Sequence, residues 1–412
     1  MSEWKKVKLG ELYEVHNGLS KGRQFFGTGF PFLTFSNVFN NWFLPDQLES
    51  LVQTTDKERE ACSIKAGDVF ITRTSETMDE LGMSSVALKD YPNATYNGFT
   101  KRLRPITDRV NPRYIGYYLR TPKFRGQFMA FSTMTTRASL ANIDLLNMEV
   151  ELPPMETQHR IATILSRYDS LIENYQKQIK LLEEAAQRLY KEWFVDLHFP
   201  GHENTNIVDG VPEGWEKKKL CELFSFVRGK SYTSKELSDE GTIMVNLKNI
   251  QSFGGYKSDV EKHFIGTFKE EQTLMKGDLI MGVTDMTQER RLVGSVALIP
   301  DFKETATFSM DLIKLISFKL PNIYLYCAMR YGDVSRQIAP LANGVNVLHL
   351  KPEAISNIEM VVASYSIIEK FVSYTSKTIE SILSLQSQLR LLTEARDRLL
   401  PKLLSGEINV DS

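Results

Sequence analysis

Residues 4–18 read WKKVKLGELYEVHNG, and residues 215–229 read WEKKKLCELFSFVRG. Tryptophan, two lysines, leucine, glutamate, leucine and a closing glycine recur at matched positions, about 210 residues apart. The match continues down the chain. KAGDVFI (65–71) answers MKGDLIM (275–281), SVAL (85–88) recurs at 295–298, and NMEV (147–150) recurs as NIEM (357–360), all at an offset of 210. Several matches in order at one offset mark an internal duplication. A period of this length is far beyond a solenoid unit, so each copy is expected to be a domain with its own attachment. A chain of 412 residues also exceeds what one core usually serves.

Each copy ends in a segment of another kind. The first, ETQHRIATILSRYDSLIENYQKQIKLLEEAAQRLYKEWF (156–194), sets Ile161, Leu165, Tyr168, Ile172, Tyr175, Ile179, Leu182, Ala186, Leu189 and Trp193 at alternating steps of four and three. The second, SIIEKFVSYTSKTIESILSLQSQLRLLTEARDRLLPKLL (366–404), carries Phe371, Thr375, Thr378, Ile382, Leu385, Leu389, Leu392, Arg396, Leu399 and Leu403 in the same register. Both are heptad seams, and two matched seams in one chain are natural partners. Each predicted helix is on the order of 60 Å long. Pro153-Pro154 closes the first globular segment, and Ser366 with Glu369 forms a candidate capping box at the start of the second helix. The expected pairing is antiparallel, with the globular copies at opposite ends and an approximate twofold axis between them. The domain division that follows is 1–152, a long helix 153–197, a Gly/Pro/Asn-rich linker 198–214, 215–362, and a second long helix 363–412.

The globular copies read as mixed α and β. Val69–Ile71 and Leu279–Met281 are predicted strands after a Gly-Asp turn, as are Val86–Leu88 and Val296–Leu298, and Asn111-Pro112 opens a predicted helix. Composition is that of a globular protein, with 42% hydrophobic and 25% charged residues. The net charge of −1 provides no global field for nucleic acid, so any basic surface must be local. No signal-peptide core and no apolar run of membrane-span length occurs, and three scattered cysteines suit a reducing compartment; a cytoplasmic location without membrane contact is expected.

Catalytic motifs are missing from the sequence. There is no GxxxxGK[ST] loop, and GTGF (27–30) is too short for a dinucleotide fingerprint. NPRY (111–114) lacks the second proline of an amino-methyltransferase motif, and LPPM (152–155) lacks its amide and aromatic. His198 and His202 lie in the linker with no cysteine partner, and PDFKE (300–304) has no nuclease-like E-x-K after it. Neither a metal nor a catalytic residue is expected.

Binding chemistry remains. Lys101, Arg102, Arg104, Arg109, Arg113, Arg120, Lys123 and Arg125 stand against the single acid Asp108, interleaved with Tyr114, Tyr117, Tyr118 and Phe124. Such a stretch suits phosphate and stacking contacts, or equally a solvated face over a core. Polar runs fall between predicted strands at 72–82, 132–144, 283–292 and 342–349. Arginine, lysine, asparagine, glutamine and threonine are the side chains that hold phosphates or read base edges. The candidate nucleic-acid contacts in the first copy are Lys21, Arg23, Arg73, Thr74, Lys101, Arg102, Arg104, Thr136 and Arg137. In the second copy they are Arg228, Lys230, Asn246, Lys248, Asn249, Thr287, Gln288, Arg290, Arg291, Asn343 and Asn346.

These residues carry a family resemblance. W…KL.EL opening each half, the Gly-Asp strand, and above all LPPMETQHRIATILSRYDSLIENYQKQIKLLEEAAQRLYKEWF resemble the specificity subunit of a type I restriction–modification system. The second helix departs from the pattern at Ala363-Ser364 and Glu369–Phe371, while LLPKLLSGEI (399–408) fits the family's ending. The resemblance implies an α+β fold, with two mixed α/β target-recognition domains related by duplication and joined by two long antiparallel coiled-coil helices. It implies recognition of an asymmetric, bipartite site in double-stranded DNA. The helices would serve as a ruler and as docking surface for two modification (methyltransferase) subunits, with restriction (translocase/nuclease) subunits added. S-adenosylmethionine, ATP and Mg²⁺ would be used by those partners and none bound by this chain. Two other readings are a two-headed coiled-coil adaptor and a stand-alone nuclease. The missing active-site motifs disfavour the nuclease, and the basic stretch and repeated polar loops disfavour the adaptor.

Overall fold

The computed structural model describes residues 4–75, 81–131, 138–139, 141–258 and 262–410. It contains two compact units, Met1–Asp169 with Ala395–Ser412, and Ser170–Glu394. In the first, strands Tyr13–Asn17, Thr100–Pro105, Val69–Thr72 and Ser84–Val86 form an antiparallel sheet in that order. In the second, Phe224–Arg228, Leu312–Ser317, Leu279–Gly282 and Val296–Leu298 form a sheet of the same order. Beside each sheet runs a parallel pair, Phe26–Leu33 with Thr95–Tyr96 and Thr242–Val245 with Ala306–Phe308. Lys5–Lys8 pairs with Glu149–Leu152, and Glu216–Lys219 pairs with Glu359–Val362, so the opening repeat of each unit is tied to the strand that precedes its helix.

The repeated motifs are turn chemistry. Gly67 and Gly277 take φ of 87° and 84°, the left-handed region glycine enters at little cost. The following aspartates close the turn on the backbone. Asp68 Oδ2 accepts from the Lys65 N–H at 2.7 Å, and Asp278 Oδ2 from the Met275 N–H at 2.9 Å. The closing glycine of the opening repeat has a different cause. A Cβ on Gly18 would stand 2.0 Å from the Asn97 carbonyl oxygen, and one on Gly229 would stand 2.0 Å from that of Ser309. The neighbouring bridges Leu19↔Asn97 and Lys230↔Ser309 bring the chains that close in both units.

The two long helices are Met155–Tyr190, with 36 residues, and Tyr365–Leu404, with 40. In the first unit, Ile161, Ala162 and Leu165 share a core with Leu400, Leu403 and Leu404. In the second, the rings of Tyr190 and Trp193 meet Phe371 at 6.0 and 5.8 Å. The start of each helix thus packs against the end of the other, and the pairing is antiparallel. Of the seam residues, Ile161, Leu165, Ile172, Ile179, Ala186, Trp193, Phe371, Thr375, Ile382, Leu389 and Leu403 are buried. Tyr168, Tyr175, Leu182, Leu189, Thr378, Leu385, Leu392, Arg396 and Leu399 are half-buried. The C-terminal helix buries a second stripe, Ile367, Ile368, Ile379, Leu383, Gln386 and Arg390, because it also packs on the second unit's globular part. There Gln386 Nε2 donates to the Tyr256 carbonyl at 3.3 Å and Arg390 Nη2 to that of Phe302 at 2.9 Å. The candidate capping box at Ser366 is corrected. The helix begins at Tyr365, which puts Ser366 inside its first turn. Asn111 does cap its helix, Oδ1 accepting from the Arg113 and Tyr114 N–H groups at 2.9 and 3.0 Å.

Among the described residues no helix is long and apolar enough to cross a membrane, and no cluster of three metal-binding side chains occurs.

Candidate nucleic-acid interface

The basic stretch 101–125 is largely turned inward. Strand Thr100–Pro105 is an interior strand of the first sheet, so its polar side chains need partners inside the protein. Arg102, 3% exposed, donates to the Ser63 carbonyl at 2.7 Å. Arg104 makes a two-pronged pair with Asp68, at 2.8 and 2.7 Å, and reaches the Ser63 carbonyl at 3.0 Å. Lys101, 4% exposed, donates to Asn142 Oδ1, and burial lowers its pKa, assisted by nearby Arg73. Arg120 donates to four backbone carbonyls, and Lys123 pairs with Glu151. Tyr114, Tyr117, Tyr118 and Phe124 are buried in the core rather than free to stack on bases. Lys101, Arg102 and Arg104 are therefore corrected from DNA contacts to cations that stabilise the sheet.

Other first-unit candidates lie nearer the surface. Arg23 is exposed in the short turn Arg23–Phe25. Lys21 pairs with Glu58 at 2.7 Å and holds that carboxyl below its usual range. Arg73 reaches Asn17 Oδ1 at 3.4 Å, and its backbone N–H donates to the carbonyl of Phe99, a residue 58% exposed. Thr74 opens the short strand Thr74–Ser75, paired with Ala138–Ser139. Thr136 and Arg137 lie outside the described residues.

The second unit brings its candidates together. Strand pair Thr284–Asp285 with Leu348–His349 holds the loops 286–292 and 342–347 side by side. Gln288 Nε2 crosses to the Val345 carbonyl at 2.7 Å, and Arg290 Nη1 reaches that of Pro340 at 3.3 Å. The organiser is Asp285, 1% exposed. Its carboxylate accepts from the Thr287 N–H at 2.8 Å, the Thr287 hydroxyl at 2.9 Å and the Leu292 N–H at 2.8 Å. Such an Asx turn lets Arg290 sit at φ 54°, a conformation otherwise disfavoured for a side chain of its size. Arg291 is exposed and pairs with Glu289 at 2.8 Å. Asn343 exchanges backbone bonds with His349 at 3.0 and 2.9 Å, and Asn346 is exposed beside Val345, 88% exposed.

Nearby, Lys230 bridges Ser309 and its carbonyl accepts from the Met310 N–H at 3.0 Å. Arg228 pairs with Glu353 at 2.7 Å, and Lys248 is exposed. Asn246 and Asn249 are corrected to turn-formers. Asn249 Oδ1 accepts from the Asn246 N–H at 3.0 Å, Asn246 Oδ1 accepts from the Lys248 N–H at 3.0 Å, and both side chains are buried. Their i,i+3 spacing was the available signal. The sequence reading passed over Asp285, although Asp-x-Thr at a loop start is the mark of such a turn.

This arrangement has the chemistry of recognition: fixed loops carrying amide, hydroxyl and guanidinium groups on a rigid sheet. Residues 1–184 match the model of the type I restriction modification DNA specificity domain. The type I restriction enzyme MjaIX specificity subunit of Methanocaldococcus jannaschii is 26% identical over 99% of this chain and 94% of its own length. The HindI specificity subunit of Haemophilus influenzae is 23% identical over 99% of this chain and 100% of its own. The crystal structure of the type I restriction-modification S subunit from M. genitalium shares the fold, with a TM-score of 0.60 at 15% identity, covering 98% of this chain and 96% of that one. By the matched domain, these relatives along its length and the shared fold, the chain is similar to the specificity subunits of type I restriction–modification systems.

Proposed function

We propose that the two units read the two halves of a bipartite, asymmetric site in double-stranded DNA. The division would be the target-recognition domains 1–152 and 215–362, with helices 153–197 and 363–412 and the linker 198–214 as the frame. The observation that carries the reading is the duplication itself. The same sheet and the same paired loop strands occur twice, while the loop residues differ. Two unlike readers on matched scaffolds suit an asymmetric site with a fixed gap between its halves. Exposed Arg23, Lys248 and Arg291 are the natural phosphate or base contacts, with Gln288, Asn343 and Asn346 beside them.

The chain itself contributes no catalysis. The paired helices set the separation of the half-sites and seat two modification subunits, which flip and methylate an adenine in each half with S-adenosylmethionine. Restriction subunits use ATP and Mg²⁺ to translocate and cut unmethylated DNA. In this reading the complex works on the chromosome and needs no membrane.

The test is insertion of one heptad within 176–188, followed by mapping of methylated sites with the assembled complex. The gap should widen or binding should fail, with both half-site sequences unchanged. New half-site sequences at an unchanged gap would overturn the ruler. Methylation or cleavage by the purified chain alone would overturn the non-catalytic assignment.

A further inference from the structure

The second unit contains a continuous run of contacts from the long helix to its reading loop. Glu183, on helix Met155–Tyr190, forms a two-pronged ion pair with Arg330 at 2.8 and 2.9 Å. Their side chains are 14% and 10% exposed, so water screens the pair little. Arg330 also donates to the Tyr326 hydroxyl and lies against the rings of Tyr326 and Tyr331 at 5.5 and 5.3 Å. Its stem presses on two adjacent glycines. A Cβ on Gly254 would meet Arg330 Cγ at 2.9 Å, and one on Gly255 would meet its Nη2 at 3.0 Å. Both glycines are left-handed, with φ of 104° and 108°. The residue before them, Phe253, is also left-handed at φ 68°, and its N–H donates to the Arg291 carbonyl at 3.0 Å. Arg291 sits in the loop that Asp285 folds.

The duplication supplies an independent observation. Arg120 occupies the matching place in the first unit, 210 residues earlier. It too grips the segment beside the sheet, donating to the carbonyls of Val38 and Phe39 at the end of helix Phe35–Asn40 and of Asn41 just after it, at 2.8, 3.0 and 2.8 Å, and to that of Ser84 at 2.6 Å. The gripped segments lead into equivalent stretches. The Leu44 N–H donates to the Val86 carbonyl at 2.9 Å, and the Gly255 N–H donates to that of Val296 at 2.8 Å. Unlike segments held by the same arginine in both copies argue for a role in placing them.

We propose that Glu183 and Arg330 are positioning residues for base selectivity: they fix the Gln251–Gly255 loop, and through Phe253 the Arg291 turn, so that the second unit reads its half-site. This rests on the DNA-recognition reading above. Glu183→Gln and Arg330→Lys remove the two-pronged pair. Because a buried charge left alone can unfold the unit, the decisive variant is the double replacement Glu183→Leu with Arg330→Met, which removes both charges while keeping apolar bulk. Each full-length variant, assembled with the modification subunits, selects from a pool of random duplexes, and the bound fraction is sequenced. Circular dichroism and thermal melting report the fold.

The expected result is a folded complex whose preference at the second half-site falls about tenfold, the worth of roughly one base contact, while the first half-site is selected as before. An unchanged second half-site in the folded double variant would overturn the proposal, and so would equal loss at both halves. If the unmutated complex selects no bipartite site at all, the recognition reading itself fails, and this inference with it.

Discussion

The two units share a sheet order but fill the junction of helix and domain differently. The second packs rings there. Tyr190, Trp193 and Phe194 surround Phe371, with Phe194 at 4.9 Å, and the tilted rings of Phe199 and Trp215 lie 5.0 Å apart. The first uses aliphatic residues, Leu400, Leu403 and Leu404, and leaves an open groove of about 750 Å³ lined by His159, Arg160, Ile164, Leu403 and Val410. The interior strands differ in the same way. The first unit's strand TKRLRP buries cations, whereas its counterpart LIKLIS buries mainly aliphatic side chains. Backbone hydrogen bonding preserves the duplicated topology, and side-chain volume is free to drift so long as each core closes on its own terms.

The largest test of this contrast is in the rings. Phe371→Ala should destabilise the second unit by about 4 kcal/mol, because it opens a cavity among rigid neighbours; Leu403→Ala beside the open groove should cost about 2 kcal/mol. Denaturant unfolding followed by tryptophan fluorescence would measure both, and equal losses would erase the distinction. Next come the turn aspartates. Asp68→Ala strands the half-buried Arg104 and should cost about 3 kcal/mol. Asp278→Ala likewise loses its turn bond, to the Met275 N–H, but its ion pair is a 3.7 Å contact to Lys314, and it should cost about 1 kcal/mol.

A smaller effect, on binding rather than folding, is expected of Arg290→Ala with Arg291→Ala. The complete site should be bound about 1–3 kcal/mol more weakly if a base contact is lost, with discrimination reduced in one half-site only. Titration of the assembled complex against duplexes altered in either half would decide it. Loss in both halves, or in neither, would remove this loop from the readers. The smallest effect belongs to Arg228→Ala. Its pair with Glu353 is exposed, so the unfolding midpoint should not move. The salt slope of DNA binding would fall by about one unit if Arg228 holds a phosphate.

The repeat, the helices and the Gly-Asp turns were legible because each follows from local pattern. A heptad seam needs only its own spacing, and a Gly-Asp turn closes on the backbone three residues away. The fate of the basic stretch was not legible. Arg102 and Arg104 find their partners at Ser63 and Asp68, dozens of residues earlier, and only the sheet brings them together. Arg120 looked like one more surface cation until four distant carbonyls converged on it. The same limit hid Arg330: its acid lies on another element, 147 residues before it.

Gly18 and Gly229 explain why the duplication can still be read at all. With a carbonyl oxygen 2.0 Å from where a side chain would begin, neither position tolerates even a methyl group without moving a strand. Side chains elsewhere in the opening repeat can in principle be exchanged for others of similar shape. These two cannot, in either copy and whatever sequence the neighbouring loops come to recognise. Divergence between the halves is therefore unequal along the chain: ancestry stays written where atoms leave no room, and fades where they do.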